Sequence, residues 1–419
     1  MGPVLIFDKS FLESLTVNES VWLDHFFLCN ITPLFYVETL ADLEKDYKSG
    51  KVPRVSQEIV KEIAKKTPII NPCPSIHHHR IVVGELLGQE VDVVHRRIQR
   101  SGGKYVKYAD GSIGIDFKQF PEEAALHRWK AGQFEEIERD IAKEWREALS
   151  AVNFDETVSL IDSKVPQNAK IPNLQALKDF VDNFVKARYK QFIYFALEIL
   201  EVSEKARKPI IKRWRENNWQ TFEEFSPYAA HVLKTNLFFY IGISRGLIGK
   251  ERASSNMVDI SYLYYLPFCH VFVSNDRLHK RITPLFVESD QSFIKGEELK
   301  AALRKINGYY AGLPQEVKKL GPFGFAHYPP IEIDNLVADL HDKHLKPWRE
   351  RAKESTPGLP KQDRRLLNKL KKRKRTQTAY TGPPISSDEV DSMIVSRRVP
   401  VVRGDWNMVP PEVLEKKRG

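Results

Sequence analysis

The first apolar run of the chain is Val4-Leu5-Ile6-Phe7, and it stops at Asp8. A short run with no polar position predicts a strand buried on both faces, as in a parallel sheet. Leu12, Leu15, Leu23 and Phe26 then recur with helical spacing, which predicts a helix from about Phe11 to Phe26. Phe27 to Ile31 reads as a second strand. Thr32-Pro33 opens another helix, with threonine as N-cap and proline at the first helical position. Strand, helix, strand, helix is the grammar of an α/β fold.

The pattern changes from about Pro72 to Ser255. Helix-period segments dominate there, among them Pro121–Ser150, Leu174–Val202 and Pro227–Leu247. A hairpin interrupts them: Lys104–Tyr108, the turn Asp110-Gly111, then Ile113–Phe117. The α/β pattern returns at Met257. A helix opens at Asp259 and stops near Pro267, a strand covers His270–Val273, Ser274-Asn275-Asp276 follows, and a helix runs from about Lys295 to Tyr310. The expected fold class is therefore α/β: a parallel sheet flanked by helices, built from residues 1–71 and 256–311. Between them lies a mainly α-helical inserted domain, 72–255. A helical extension, 312–351, and a basic, partly disordered tail, 352–419, complete the chain. The pentapeptide Ile-Thr-Pro-Leu-Phe occurs at 31–35 and at 282–286; two copies of one pentamer do not make a structural repeat.

Charge sharpens this division. The net charge is +10, yet residues 352–419 alone hold 16 basic against 8 acidic side chains, a net of +8. The body is close to neutral and would have to bind a polyanion locally. Cys29, Cys73 and Cys269 are far apart and form neither a zinc spacing nor a disulfide framework, which fits a reducing compartment. The run before Asp8 is too short for a signal-peptide core. The longest uncharged run, Ile260 to Asn275, is 16 residues and falls short of the roughly 20 that span a membrane. A cytoplasmic protein with no membrane partner is expected.

Four acids occupy positions where a carboxylate is costly unless used. Asp8 ends a buried strand, and sites in open α/β sheets form outside the carboxyl ends of strands. Asp276 ends the Val271–Asn275 stretch in the same way, and Asp259 opens the helix leading into that strand. Glu38 falls on the apolar stripe of its helix with Leu34 and Ala41 and has no basic residue one turn away on that face. A buried carboxylate takes up a proton or finds a partner. A divalent cation resolves the repulsion among four such groups, and oxygen ligands select Mg²⁺ or Mn²⁺.

These residues resemble a PIN domain: Asp8 and Ser10 after a hydrophobic strand, a Glu early in the second helix, an Asp at a later helix start, and Ser-Asn-Asp after the next strand. The resemblance covers about 1–70 and 255–311. It implies a compact α/β nuclease that holds Mg²⁺ or Mn²⁺ and cuts single-stranded RNA. Asp8, Glu38, Asp259 and Asp276 would be its catalytic and metal-binding residues, with Ser10 and Asn275 as accessory residues. Asp42, one turn after Glu38, is a candidate fifth acid, and Asp290 is a weaker one. The insertion is large for that family.

Other features are less specific. His77-His78-His79 points three ways on any regular element and suits a helix start or loop better than a metal. Arg96, Arg97 and Arg100 form a basic helix end able to touch phosphate. Arg188, Tyr189, Lys190, Lys212, Arg213, Trp214, Arg215 and Trp219 mix cations with aromatics, as single-stranded nucleic acid requires, although most of these rings suit a helix core. Arg364, Arg365, Lys369, Lys371, Lys372, Arg373, Lys374 and Arg375 form a run for sequence-independent phosphate binding. Three competing readings remain. A haloacid-dehalogenase-like phosphatase would need an acid where Ser10 stands. A non-catalytic RNA-binding module would act through the tail. A toxin-like nuclease would require a protein regulator.

Overall fold

Val4–Phe7 is a strand (β1), buried along its whole length. It forms the centre of a five-stranded parallel sheet with Leu28–Ile31 (β2), Pro72–Pro74 (β3), Val271–Ser274 (β6) and Ser292–Lys295 (β7), in the order β3-β2-β1-β6-β7. A separate antiparallel hairpin, Gly103–Tyr108 (β4) and Ile113–Phe117 (β5), forms where its Asp-Gly turn predicted. The structure, a computed structural model, describes residues 2–48, 53–94, 96, 103–108, 113–117, 121–133, 138, 143, 154–166, 169–186, 191–354, 377–379, 381–382 and 400–408.

Alternation along β1 divides the core into two layers. Leu5 and Phe7 share one cluster with Val271 and Val273 of β6 and with the helices Lys9–Ser14 (α1) and Val17–Phe26 (α2). Val4, Ile6 and Phe272 point to the other face. There they meet the helical segment, including Leu177 and Val181 of the Leu174–Val185 helix and Leu233, Leu237 and Phe238 of the Pro227–Ser244 helix. The helical segment thus shares a core with the sheet, which is the reason the strands are apolar on both faces.

Several boundaries differ from expectation for local reasons. The Phe11–Phe26 helix is two helices. Thr16 and Glu19 form a capping box that starts α2 after α1 has ended at Ser14. Pro72–Pro74 lies just inside the segment assigned to the insertion, yet it is a strand of the sheet. Two prolines are tolerated because β3 is an edge strand. Asp259 does not open a helix. That helix is Ala253–Tyr262, followed by 3-10 turns over Leu263–Phe268 that accommodate Pro267, so Asp259 lies well inside it. Leu174–Val202 is likewise two helices, Leu174–Val185 and Phe192–Ile199.

The chain moves outward from β1 to β3 and then returns to the opposite flank of β1 with β6. The direction of winding reverses between β1 and β6, and the connections leaving their carboxyl ends diverge. In sheets of this order the crevice outside the carboxyl ends of two such strands is the usual position of a site.

Candidate functional site

Asp8 and Ser274 stand at the two lips of the crevice. The Asp8 amide continues the strand pairing by donating to the Val273 carbonyl at 3.2 Å. The Asp8 carboxylate caps α1, accepting from Phe11 N at 2.8 Å, and it also accepts from Ser10 Oγ at 2.8 Å and Ser274 Oγ at 2.5 Å. Asp276 caps the short helix Arg277–Ile282, accepting from Leu278 N and His279 N, while its own amide donates to Ser274 Oγ at 2.9 Å. That cap aims His279, which is fully buried, back at Ser274, with Nδ1 at 2.7 Å from Oγ. The other ring nitrogen lies 2.7 Å from the Asp259 carbonyl.

Counting protons over this network fixes its charge. The Ser274 hydroxyl hydrogen goes to Asp8, so Ser274 Oγ must accept from His279 Nδ1. His279 Nε2 faces a carbonyl and must also carry a hydrogen. His279 is then an imidazolium. It sits 3.7 Å from Asp8 Oδ2, too far for a direct hydrogen bond, with Ser274 as the bridge. The titration behaviour agrees. Burial alone would lower the His279 pKa, but the Asp8 carboxylate and then Asp259 reverse this and raise it to about 9. Burial pushes the Asp8 carboxyl upward, and His279, Ser274 and the Phe11 amide overcome that, leaving it below the ordinary aspartate value.

The other two acids lack such compensation. Glu38, on the Pro33–Lys48 helix (α3), is bonded by the Tyr262 hydroxyl. Burial pushes its carboxyl up to about 8, the Tyr262 bond opposes this, and the proximity of Asp259 and Asp8 adds to it. Burial likewise raises Asp259 to about 7; His279 opposes, and Asp276 and Asp8 reinforce. Asp8 thus acts on both Glu38 and Asp259, and Asp276 acts on Asp259, the four being carried by four different elements. Lys9 opposes the Glu38 shift, and His279 opposes that of Asp259.

No family model, no curated protein and no solved structure matches this chain. The reading of the crevice therefore rests on its own chemistry. Among the described residues no three His, Cys, Asp or Glu side chains stand ready around a single point as ligands. Both Asp8 oxygens are engaged, and Asp276 Oδ1 is occupied as a helix cap. Glu38 Oε1, Asp276 Oδ2 and the Asp259 carboxylate accept no hydrogen bond from the described residues. A donor set made only of carboxylate and hydroxyl oxygens suits Mg²⁺ or Mn²⁺, which bind through few protein ligands and keep several waters.

Ser10 orients Asp8 as expected. Asn275 packs against the start of the Gly296–Ala311 helix so closely that a Cβ at Gly296 would lie 2.4 Å from Asn275 Oδ1. The Asp42 side chain lies outside the described residues, as do Arg97, Arg100, Arg188, Tyr189, Lys190, Arg364, Arg365, Lys369, Lys371, Lys372, Arg373, Lys374 and Arg375. Arg96 is not a phosphate contact. It is 4% exposed and is held by Asp290 and Glu288 at 2.7 and 2.6 Å, which also explains Asp290. His77 caps a helix, and His78 is packed between Tyr264 and Tyr265. Trp214 is core, and Arg213 braces the end of the His78–Leu86 helix through two carbonyls. All three cysteines are buried free thiols. No helix among the described residues is long and apolar enough to cross a membrane.

Ser274, His279 and Tyr262 were not among the candidate site residues, yet they are hydrogen-bonded into the same network. Ser274 was readable, as the last residue of a buried strand. Tyr262 lies one turn after Asp259. Nothing in the local sequence marks His279 except its place three residues after a capping aspartate.

Proposed function

We propose that the crevice is the active centre of a divalent-metal-dependent nuclease of PIN-like type that hydrolyses phosphodiester bonds, with single-stranded RNA as substrate. The observation that carries this reading is the electrostatic coupling of Asp8, Glu38, Asp259 and Asp276, with Glu38 and Asp259 driven by burial toward the neutral form. Groups so perturbed and clustered at a sheet crevice are the mark of a working site.

The division of labour follows from the surroundings of each acid. Asp8 is the preorganised carboxylate: Ser10, Ser274 and α1 hold its orientation, and His279 keeps it ionised. The Glu38 and Asp259 carboxyls, raised to about 8 and about 7, would give up their protons to solvent when a divalent cation binds beside them. Asp276 sets Ser274 and His279 in place and offers one free oxygen. A divalent cation, when bound, would neutralise the carboxylates and supply Lewis-acid polarisation of a phosphoryl oxygen. Asp8 suits the role of a fixed anchor better than that of a nucleophile, because both of its oxygens already accept hydrogen bonds.

The test is cleavage of end-labelled single-stranded RNA and DNA by the full chain with Mg²⁺, Mn²⁺ or EDTA. Metal-dependent cleavage that disappears in Asp8→Asn and Asp276→Asn is expected. Cleavage unaffected by both substitutions would remove the crevice from the reaction.

A further inference from the structure

Asp276, Asn275 and Ser10 also line a cleft of about 640 Å³ whose remaining lining includes Arg252, Arg277 and Arg281. All three arginines are exposed. Neighbouring lysines have carboxylate partners: Lys250 pairs with Asp155 and Lys280 with Glu297. Among the described residues no carboxylate pairs with the three arginines. Arg281 donates only to the Leu247 carbonyl, at 3.3 Å. Glu251 and Asp276 are the acids of the lining, so cations outnumber anions in it by three to two. No aromatic side chain lines the cleft, and its apolar lining is Ile248 and Leu278.

Guanidinium groups free of carboxylate partners match the two-oxygen geometry of phosphate. The volume suits a ligand of nucleotide size. Without a ring to stack on, a base contributes little there, since sequence-tolerant strand binding otherwise relies on aromatic platforms. We propose that this cleft is a backbone-phosphate subsite that holds the sugar-phosphate chain of single-stranded nucleic acid next to the acidic crevice and does not read the base. The choice of occupant rests on the nuclease reading. The location of the phosphate contacts does not.

The experiment measures binding of labelled single-stranded oligonucleotides to the full chain in EDTA across a salt series. It compares the wild type with Arg252→Ala, Arg277→Ala, Arg281→Ala and the triple variant, each checked for an unchanged melting temperature. The basic run 364–375 adds the same background to every protein, so the differences isolate the cleft. Each lost contact should weaken binding several-fold and reduce the slope of log affinity against log salt by about 0.7. The losses should be alike for homopolymers of different base. Arg277→Lys should keep the slope while losing part of the affinity.

Unchanged affinity and slope in the folded triple variant would overturn the proposal, even if the wild type cleaves RNA. Losses confined to one base would overturn its base-blind character. Inorganic phosphate competing as well as the oligonucleotide would reassign the cleft to a free anion and overturn the strand assignment. Arginine-dependent binding by a protein that never cleaves would uphold the subsite and remove the nuclease reading alone.

Discussion

Asp24 and Glu38 are both acids taken into the body of this protein, and their surroundings differ in kind. Asp24 is fully buried and receives the amides of Ile69, Ile70 and Asn71 at 2.6–3.0 Å and Arg403 Nη1 at 2.5 Å. The same guanidinium bonds Ser20 and the carbonyls of Lys66 and Thr67. Trp406 and Met408 are buried beside α2 and lock the segment 400–408 in place. Glu38 accepts from the Tyr262 hydroxyl, the Asp259 carboxylate accepts no hydrogen bond from the described residues, and the proximity of Asp259 disfavours ionised Glu38. A buried acid with a full set of donors is architecture. Two half-buried acids that lack such a set raise the free energy of the folded chain, and such positions are characteristic of function.

The comparison can be broken from either side, and the largest effect is expected on the structural side. Asp24→Ala leaves Arg403 buried and unpaired and should cost about 3–5 kcal/mol in denaturant unfolding, with activity per folded molecule unchanged. A loss below about 1 kcal/mol would make the pair equivalent to an exposed one. Next in size, Asp8→Asn should reduce cleavage on the order of a hundredfold or more while the protein stays folded. Asparagine still caps α1, and His279 can release its proton. Wild-type cleavage by this variant would turn Asp8 into a second Asp24.

Glu38→Gln should act in the opposite sense on stability. It keeps the Tyr262 contact and removes an uncompensated charge, so the metal-free protein should gain on the order of 1 kcal/mol or more at pH 8. It should also lose any stabilisation by Mn²⁺. A destabilised variant would assign Glu38 to the architecture.

The smallest effect is the pH dependence. Folded-state pKa values raised above the unfolded ones mean that the native chain holds more protons, so stability falls as pH rises. This acts from 4.5 to about 8 for Glu38, from 3.8 to about 7 for Asp259 and from 6.5 to about 9 for His279. Glu85, raised to about 7 by its burial, acts the same way outside the crevice. Buried His25, His231, His341 and His344, lowered to about 4, act oppositely up to 6.5. Metal-free stability should therefore decline between pH 7 and 9, as read by melting temperature. A rise over that window would contradict the assigned surroundings.

β1, β2 and β6 were legible because they are short, mainly apolar runs, β1 followed at once by Asp8 and β6 two residues later by Asp276. Asp8 and Asp276 stand where those runs stop, and this follows from local pattern alone. Glu38 was legible from helical spacing. The break between α1 and α2 was written in Thr16 and Glu19 and was overridden by the continuous apolar periodicity around them. β3 and β7 are edge strands of three and four residues, one with two prolines, too short and irregular to declare themselves. Arg96 looked like a phosphate contact because its partners Glu288 and Asp290 lie more than 190 residues away. The same distance hides the Ser274–Asp8 bond and, with it, the charge of His279. Trp406, in an otherwise basic segment, was the available sign that residues 400–408 are packed.

On the proposed reading Glu38 and Asp259 give up their protons when a divalent cation binds. Calorimetric titration of Mn²⁺ into the full chain at pH 7, repeated in two buffers of different ionisation enthalpy, tests it most directly. Saturable binding is expected, with proton release from Glu38 and Asp259 and with binding weakened in Asp259→Asn. Absence of binding, or binding with no proton released and no response to that substitution, would contradict it.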